Sequence, residues 1–227
     1  MGGYWLLTIP VILLLLAGWL ARRAEADWGH LWLQPLDGLN RLFCRRFHRL
    51  QGDRIPLPEQ GAAIVVANHL SGLDPMLLLA ASPRPLRFII ASEEYHRFGF
   101  TWLFRAVGCI PVDRHGRPEK AFREALKALQ QGEVIAIFPH GGIRLDDDPK
   151  RHLKPGAVRL AELAACPIYP VRLDGMRFQG DVFKPVFHRA QARLQARPTR
   201  HCPQGKGAAC LQQLEQDLAP APPPSQE

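Results

Sequence analysis

From position 68 to 74 the chain reads Asn68-His69-Leu70-Ser71-Gly72-Leu73-Asp74, directly after an apolar run over 62–67. A histidine titrating near neutrality can take a proton from an alcohol. It does so best when a carboxylate on its other ring nitrogen fixes tautomer and orientation. Four residues separate His69 from Asp74, and Gly72 lets the intervening loop fold the carboxylate back towards the ring. Asp74 followed by Pro75 is equally a helix N-cap with proline at the first helical position, and the two roles are compatible. Ser71 lacks the glycine pattern of a nucleophile elbow and reads as a loop residue. Gly141-Gly142, after another apolar run, can bring backbone N–H groups close to an anion or make a plain turn. Lys154 suits either a phosphate contact or a helix start.

These residues need elements that carry them to one edge. Short apolar runs over 62–67, 86–91, 134–138 and 168–173 predict buried strands, with late strands over 182–187 and 192–196. Helical patterns fill 75–81, 101–107, 118–131, 156–165 and 206–218. Near-continuous apolar strands alternating with helices predict an α/β domain over 52–218: a mostly parallel sheet with helices on both faces. In such sheets ligands bind beyond the carboxyl ends of the strands, which is where His69 falls.

Ahead of that domain lie an N-terminal membrane helix over 1–23 and an amphipathic helix over 24–51; a disordered Pro-rich tail over 219–227 follows. The stretch over 4–21 has no charged residue, with Tyr4, Trp5 and Trp19 near its ends and Arg22-Arg23 directly after. Its length approaches the lower limit for crossing a bilayer. Ala24-Glu25-Ala26 resembles a signal-peptidase site, but no Lys or Arg precedes the apolar run, so retention is expected. Trp32, Leu36, Leu39, Phe43, Phe47 and Leu50 recur at intervals of three and four, while Arg41, Arg45, His48 and Arg49 take other faces. That pattern fits a helix lying on anionic lipid and, equally, one packed on the domain core. The two segments also suit a hairpin dipping into one leaflet.

A net charge of +8 calls for an acidic partner. The N-terminus points to membrane lipid, and no nucleic acid is expected, because aromatics are not interleaved with a basic stripe. The positive-inside bias places the chain at the inner (cytoplasmic) membrane with its catalytic domain facing the cytoplasm. Five scattered cysteines, without a CxxC pair or histidines at zinc-ligand spacing, read as reduced thiols; no metal is expected.

Asn68-His69 with Asp74 resembles the His-x4-Asp signature of the glycerolipid acyltransferase family, which includes 1-acylglycerol-3-phosphate acyltransferases. Further blocks follow in the family's order: Gly108-Cys109-Ile110-Pro111-Val112-Asp113-Arg114, then Phe138-Pro139-His140-Gly141-Gly142-Ile143-Arg144, Lys154-Pro155-Gly156-Ala157, and Ile168-Tyr169-Pro170-Val171. The resemblance implies His69 as base and Asp74 as its partner, with no bound cofactor. An acceptor hydroxyl on a lysophospholipid would attack the thioester of acyl-CoA or acyl-ACP (acyl carrier protein) directly. It also implies that Arg114 and Arg144 hold the acceptor phosphate, with Asn68, Gly141, Gly142 and Lys154 among the substrate contacts. Guanidinium forks suit phosphate well, although an arginine seen in isolation reads as solvated surface.

The third block departs from the family, with His140 where glutamate is usual and Gly142 where threonine is usual. That glutamate serves acceptor recognition, so a lyso-aminolipid competes with 1-acylglycerol-3-phosphate as acceptor. Two further readings compete: a lipid-to-lipid transacylase, and a non-catalytic, membrane-anchored lipid-binding protein.

Overall fold

In the strand β2 (Ala63–Ala67) every residue is fully buried. Ala63, Val65 and Ala67 face one hydrophobic cluster, Ile64 and Val66 the other. A strand covered on both sides has no polar face to alternate with, which is why its sequence is an unbroken apolar run. The computed structural model describes residues 5–220 except 98, 115, 117, 150 and 151, with side chains from residue 8 onward. Tyr4 and residues 221–227 of the expected tail lie outside the described residues.

β2 pairs in parallel with β5 (Val134–Ile137) on one side and β6 (Ile168–Asp174) on the other. Beyond β5 lie β3 (Arg87–Ala91) and β4 (Ile110–Val112), both parallel. Beyond β6, β7 (Arg193–Ala196) runs antiparallel and carries β1 (Gln51–Gly52) on its outer edge. The order is therefore β1-β7-β6-β2-β5-β3-β4. This mostly parallel sheet, with helices on both faces, is the architecture expected from the sequence. β1 and β4 were not among the expected strands. Residues 182–187 do not form one: they turn into the short helix α8 (Lys184–Phe187), because Asp181 accepts the Phe183 and Lys184 amides and Pro185 lacks a ladder donor.

One face carries α2 (Leu33–Arg46), α3 (Asp74–Ala81), α4 (Ser92–Tyr95) and α5 (Thr101–Ala106). The other carries α6 (Pro118–Gln130), α7 (Gly156–Ala164) and α9 (Gly207–Leu218). The N-terminal α1 (Trp5–Ala21) packs on α2. At about 1.5 Å per residue its 17 residues reach roughly 25 Å, short of the roughly 30 Å bilayer core. Among the described residues no helix is long and apolar enough to cross a membrane, which corrects the expected span.

In α2 the expected faces are partly exchanged. Trp32, Leu36 and Leu39 are exposed, whereas Arg41 is buried at 2 % exposure. Arg41 donates to Asp37 Oδ2 at 2.6 Å and to the Ala80 and Ser82 carbonyls at 3.0 and 2.6 Å. Those carbonyls close α3, where a helix lacks internal donors, so a buried guanidinium satisfies both hydrogen bonding and the helix dipole. Nearby, Asn40 donates to the Met76 carbonyl at 3.0 Å. The helix that begins at Asp74 is thus held at its far end by α2. Cys202 and Cys210 form a disulfide, a correction to the expectation of five thiols, while Cys44, Cys109 and Cys166 are free and buried.

Candidate active site

β2 delivers Asn68 and His69 to its carboxyl end, and α3 begins five residues later with Asp74. The Asp74 carboxylate, fully buried, lies 2.9 Å through Oδ2 from His69 Nδ1. The same oxygen accepts the Leu70 and Ser71 amides at 2.6 and 2.8 Å, and Oδ1 accepts the Ser71 hydroxyl at 2.9 Å. One carboxylate therefore shapes the loop and orients the ring. Four donors and the start of α3 offset the cost of burying its charge. Asp74 is the first helical residue, with Leu73 at the cap position and no side-chain cap bond. Its oxygens turn back to the loop, so the expected N-cap role is not what it does. Ser71, read as a plain loop residue, positions Asp74 through its hydroxyl.

Donation from Nδ1 to this carboxylate fixes Nε2 as the nitrogen that can accept a proton. The His69 side chain is 17 % exposed, so the ring is reachable yet sheltered. Phe138, at the end of β5, stacks on it with centroids 4.1 Å apart and planes 14° apart. Phe88 lies behind Phe138 at 5.9 Å. In the sequence Phe138 stands only as the end of an apolar strand and part of a family block. Its position at a strand end beside His69 is what gives it a role in holding the imidazole plane.

The segment after β5 brings further expected residues together. Arg144 donates its backbone N–H to the His69 carbonyl at 2.8 Å. Arg114 donates to the Gly141 carbonyl. Lys154 donates its backbone N–H to the Pro139 carbonyl at 2.9 Å. Gly141 has φ +75°, and a Cβ there would stand 2.7 Å from Lys154 Nζ, so glycine is needed both for the turn and for that approach. A Cβ on Gly142 would stand 3.6 Å from Arg114 Nη1. Two cations thus flank a glycine turn next to His69. The Arg144 guanidinium turns to Asp148, donating to Oδ2 at 3.1 Å, so its charge is already partly answered.

Two expected substrate contacts are placed otherwise. Asn68 is 1 % exposed; its amide donates to the Leu173 carbonyl at 2.9 Å, and its oxygen accepts the Leu173 N–H at 2.7 Å. It braces the ends of β2 and β6. His140 is 7 % exposed and lines a cavity of about 270 Å³ with Asp146, His152, Leu153 and Glu215, a lining that includes neither His69 nor Asp74. Among the described residues no group of three or more His, Cys, Asp or Glu is placed to hold a metal ion.

The Acyltransferase family model matches residues 50–174. N-acylphosphatidylethanolamine synthase of Arabidopsis thaliana is 35% identical over 120 residues, 48% of this chain and 42% of that protein. 1-acyl-sn-glycerol-3-phosphate acyltransferase of Bacillus subtilis is 25% identical over 129 residues, 56% of this chain and 63% of that one. The chain spans about half the length of the curated relatives it matches. The crystal structure of the 1-acyl-sn-glycerophosphate acyltransferase of Thermotoga maritima superposes with a TM-score of 0.61 at 21% identity, over 82% of this chain and 79% of that one, and so shares the fold. The matched segment runs from β1 through β6 and carries the His69–Asp74 pair, Arg114 and the glycine turn, and on that match over more than half its length the chain belongs to the acyltransferase family.

Proposed function

We propose that the protein is a membrane-associated O-acyltransferase that moves a fatty acyl group from acyl-CoA or acyl-ACP to the free hydroxyl of a lysophospholipid, with 1-acylglycerol-3-phosphate as acceptor and phosphatidic acid as product. The observation that carries this reading is the 2.9 Å contact between His69 Nδ1 and the buried Asp74 carboxylate, beside the Arg114–Gly141–Lys154 cluster. His69 Nε2 takes the hydroxyl proton as the oxygen bonds to the thioester carbonyl carbon. The carbon–sulfur bond then breaks, and the imidazolium returns the proton to the departing thiolate. Arg114 and Lys154 hold the acceptor phosphate, each charged hydrogen bond contributing about 1.5–3 kcal/mol.

The membrane role rests on exposed apolar surface. Leu14 and Leu15 of α1 are 72 % and 69 % exposed, and Trp32, just before α2, contacts Trp102 of α5 at 5.8 Å, both rings open to solvent. Water does not favour a helix that is apolar all round, so α1 and α2 dip into one leaflet as a hairpin. Arg22 and Arg23 then keep the domain on the cytoplasmic side.

His69→Ala, assayed in membranes with labelled acyl donor and lysolipid, should lose about 10²–10⁴-fold in turnover. Activity at the wild-type level would remove His69 from the mechanism. The similarity to a protein named N-acylphosphatidylethanolamine synthase supports a second acceptor class, an amine-bearing phospholipid. A panel of lysophosphatidic acid, lysophosphatidylethanolamine and phosphatidylethanolamine decides between hydroxyl and amine.

A further inference from the structure

Directly after the family-matched segment, residues 176–190 wrap back over the catalytic loop. Their inner side is anchored: Met176, Pro185 and Ala190 are buried, and Val186 packs against the core. Their outer side is apolar and open, with Phe178 44 %, Phe183 49 % and Phe187 74 % exposed. A segment fixed from within does not expose three phenylalanines through looseness; the outward face is a built feature. Its charges are mainly positive, Arg177, Lys184 and Arg189 against Asp181. Arg97 stacks over Phe183 at 5.2 Å, and Arg189 over Phe47, the residue that caps α2, at 6.0 Å, so cations lie among the aromatic rings of this region. Aromatic rings among cations suit the headgroup region of an anionic leaflet.

The segment is also tied to the base. The Gly180 N–H donates to the Leu70 carbonyl at 2.8 Å, and the Gly72 N–H to the Asp181 carbonyl at 3.2 Å. A Cβ on Gly72 would lie 2.0 Å from the Val182 carbonyl oxygen, so the two backbones touch where only glycine fits. Phe178 holds φ +54°, a conformation that bulky residues rarely adopt, at the bend next to these contacts.

We propose that residues 176–190 form a second lipid-contacting segment, which seats its phenylalanines in an anionic leaflet and thereby sets the 69–74 loop for lysolipid delivered from the membrane. This rests on the membrane-surface reading above and adds a contact beyond α1 and α2.

The test places a polarity-sensitive fluorophore at Phe187→Cys and, separately, at Leu14→Cys in the full chain. The free cysteines do not compete for label, because burial pushes the Cys44 and Cys109 thiols up to about 12 and the Cys166 thiol up to about 11. Vesicles of phosphatidylcholine, with or without phosphatidylglycerol and carrying acyl-chain nitroxide, are then added. A blue shift and quenching at 187 that require phosphatidylglycerol support the proposal. An unchanged probe at 187 beside a quenched probe at 14 overturns it alone, and unchanged probes at both sites overturn membrane docking altogether. The Phe183→Ser/Phe187→Ser variant should lose about tenfold on vesicle-borne lysolipid, the scale of one phenylalanine left unburied, and far less on a short-chain acceptor in solution. An equal fall on both overturns the coupling.

Discussion

His69 and His48 both lie against phenylalanine rings. His69 is flat on Phe138, holds Asp74 at Nδ1, and keeps 17 % of its side chain exposed. His48 stands edge-on to Phe43 and Phe47, with centroids 4.7 and 4.9 Å away, and is fully buried. Burial pushes its titration below the ordinary imidazole value of 6.5, with the Val186 carbonyl pulling the other way. Aromatic packing is common to both sites, so it is not what sets His69 apart. The difference is a carboxylate supplied by the same loop and an opening to solvent.

The largest effect should come from taking that carboxylate away. Asp74→Asn keeps the shape but lets the amide and imidazole settle in the wrong tautomer, and kcat should fall by about 10²–10⁴-fold. Circular dichroism checks that the chain still folds, because the Leu70 and Ser71 amides lose part of their acceptor, at about 1–3 kcal/mol for each donor left unpaired. Near-normal kcat in the folded variant would make Asp74 a scaffold residue only.

A smaller effect separates the sites by the cations beside His69. Arg114→Ala should raise KM for lysophosphatidic acid by about 10–100-fold, the worth of one charged hydrogen bond, with little change in KM for an acceptor lacking phosphate. His140→Glu in the same assay should stay within about twofold, as a residue lining a different cavity would. A KM shift confined to His140→Glu would move acceptor recognition to that side of the turn.

What the sequence exposed and what it hid follow the range of the forces involved. The β2–loop–α3 unit was legible because spacing, strand burial and helix start are local, and Asp74 reaches His69 within one loop. The parallel sheet was legible because strands covered on both faces read as apolar runs. The direction of side chains in the 138–144 turn depends on distant elements: His140 lines a cavity together with Glu215 of α9, which no spacing announces. Asn68 is occupied by Leu173 from 105 residues away. Arg41 looked like surface charge because its partners are carbonyls ending another helix. Residues 182–187 carried strand-like composition, but local turn chemistry and the lack of a partner strand decided otherwise.

The smallest effect concerns stability, and it isolates His48. Because burial lowers its titration in the folded chain, the unfolded chain binds the proton first as pH falls below 6.5. Unfolded protein then holds more protons than folded, so stability falls with falling pH from about 6.5 down to the lower folded value, and is fully present above 6.5. The slope in that window is at most about 1.4 kcal/mol per pH unit for one group. His48→Phe keeps an aromatic ring against Phe43 and Phe47 but removes the proton site. Urea midpoints at pH 7.5 and pH 5 should therefore lie closer together in the variant than in wild type, while turnover at pH 7.5 is retained. An unchanged spacing of the midpoints would mean that His48 titrates as freely folded as unfolded. A loss of turnover in a stable variant would instead make the contrast between the two histidines one of degree, with the packing around His48 reaching the catalytic loop through Val186 and the 176–190 segment.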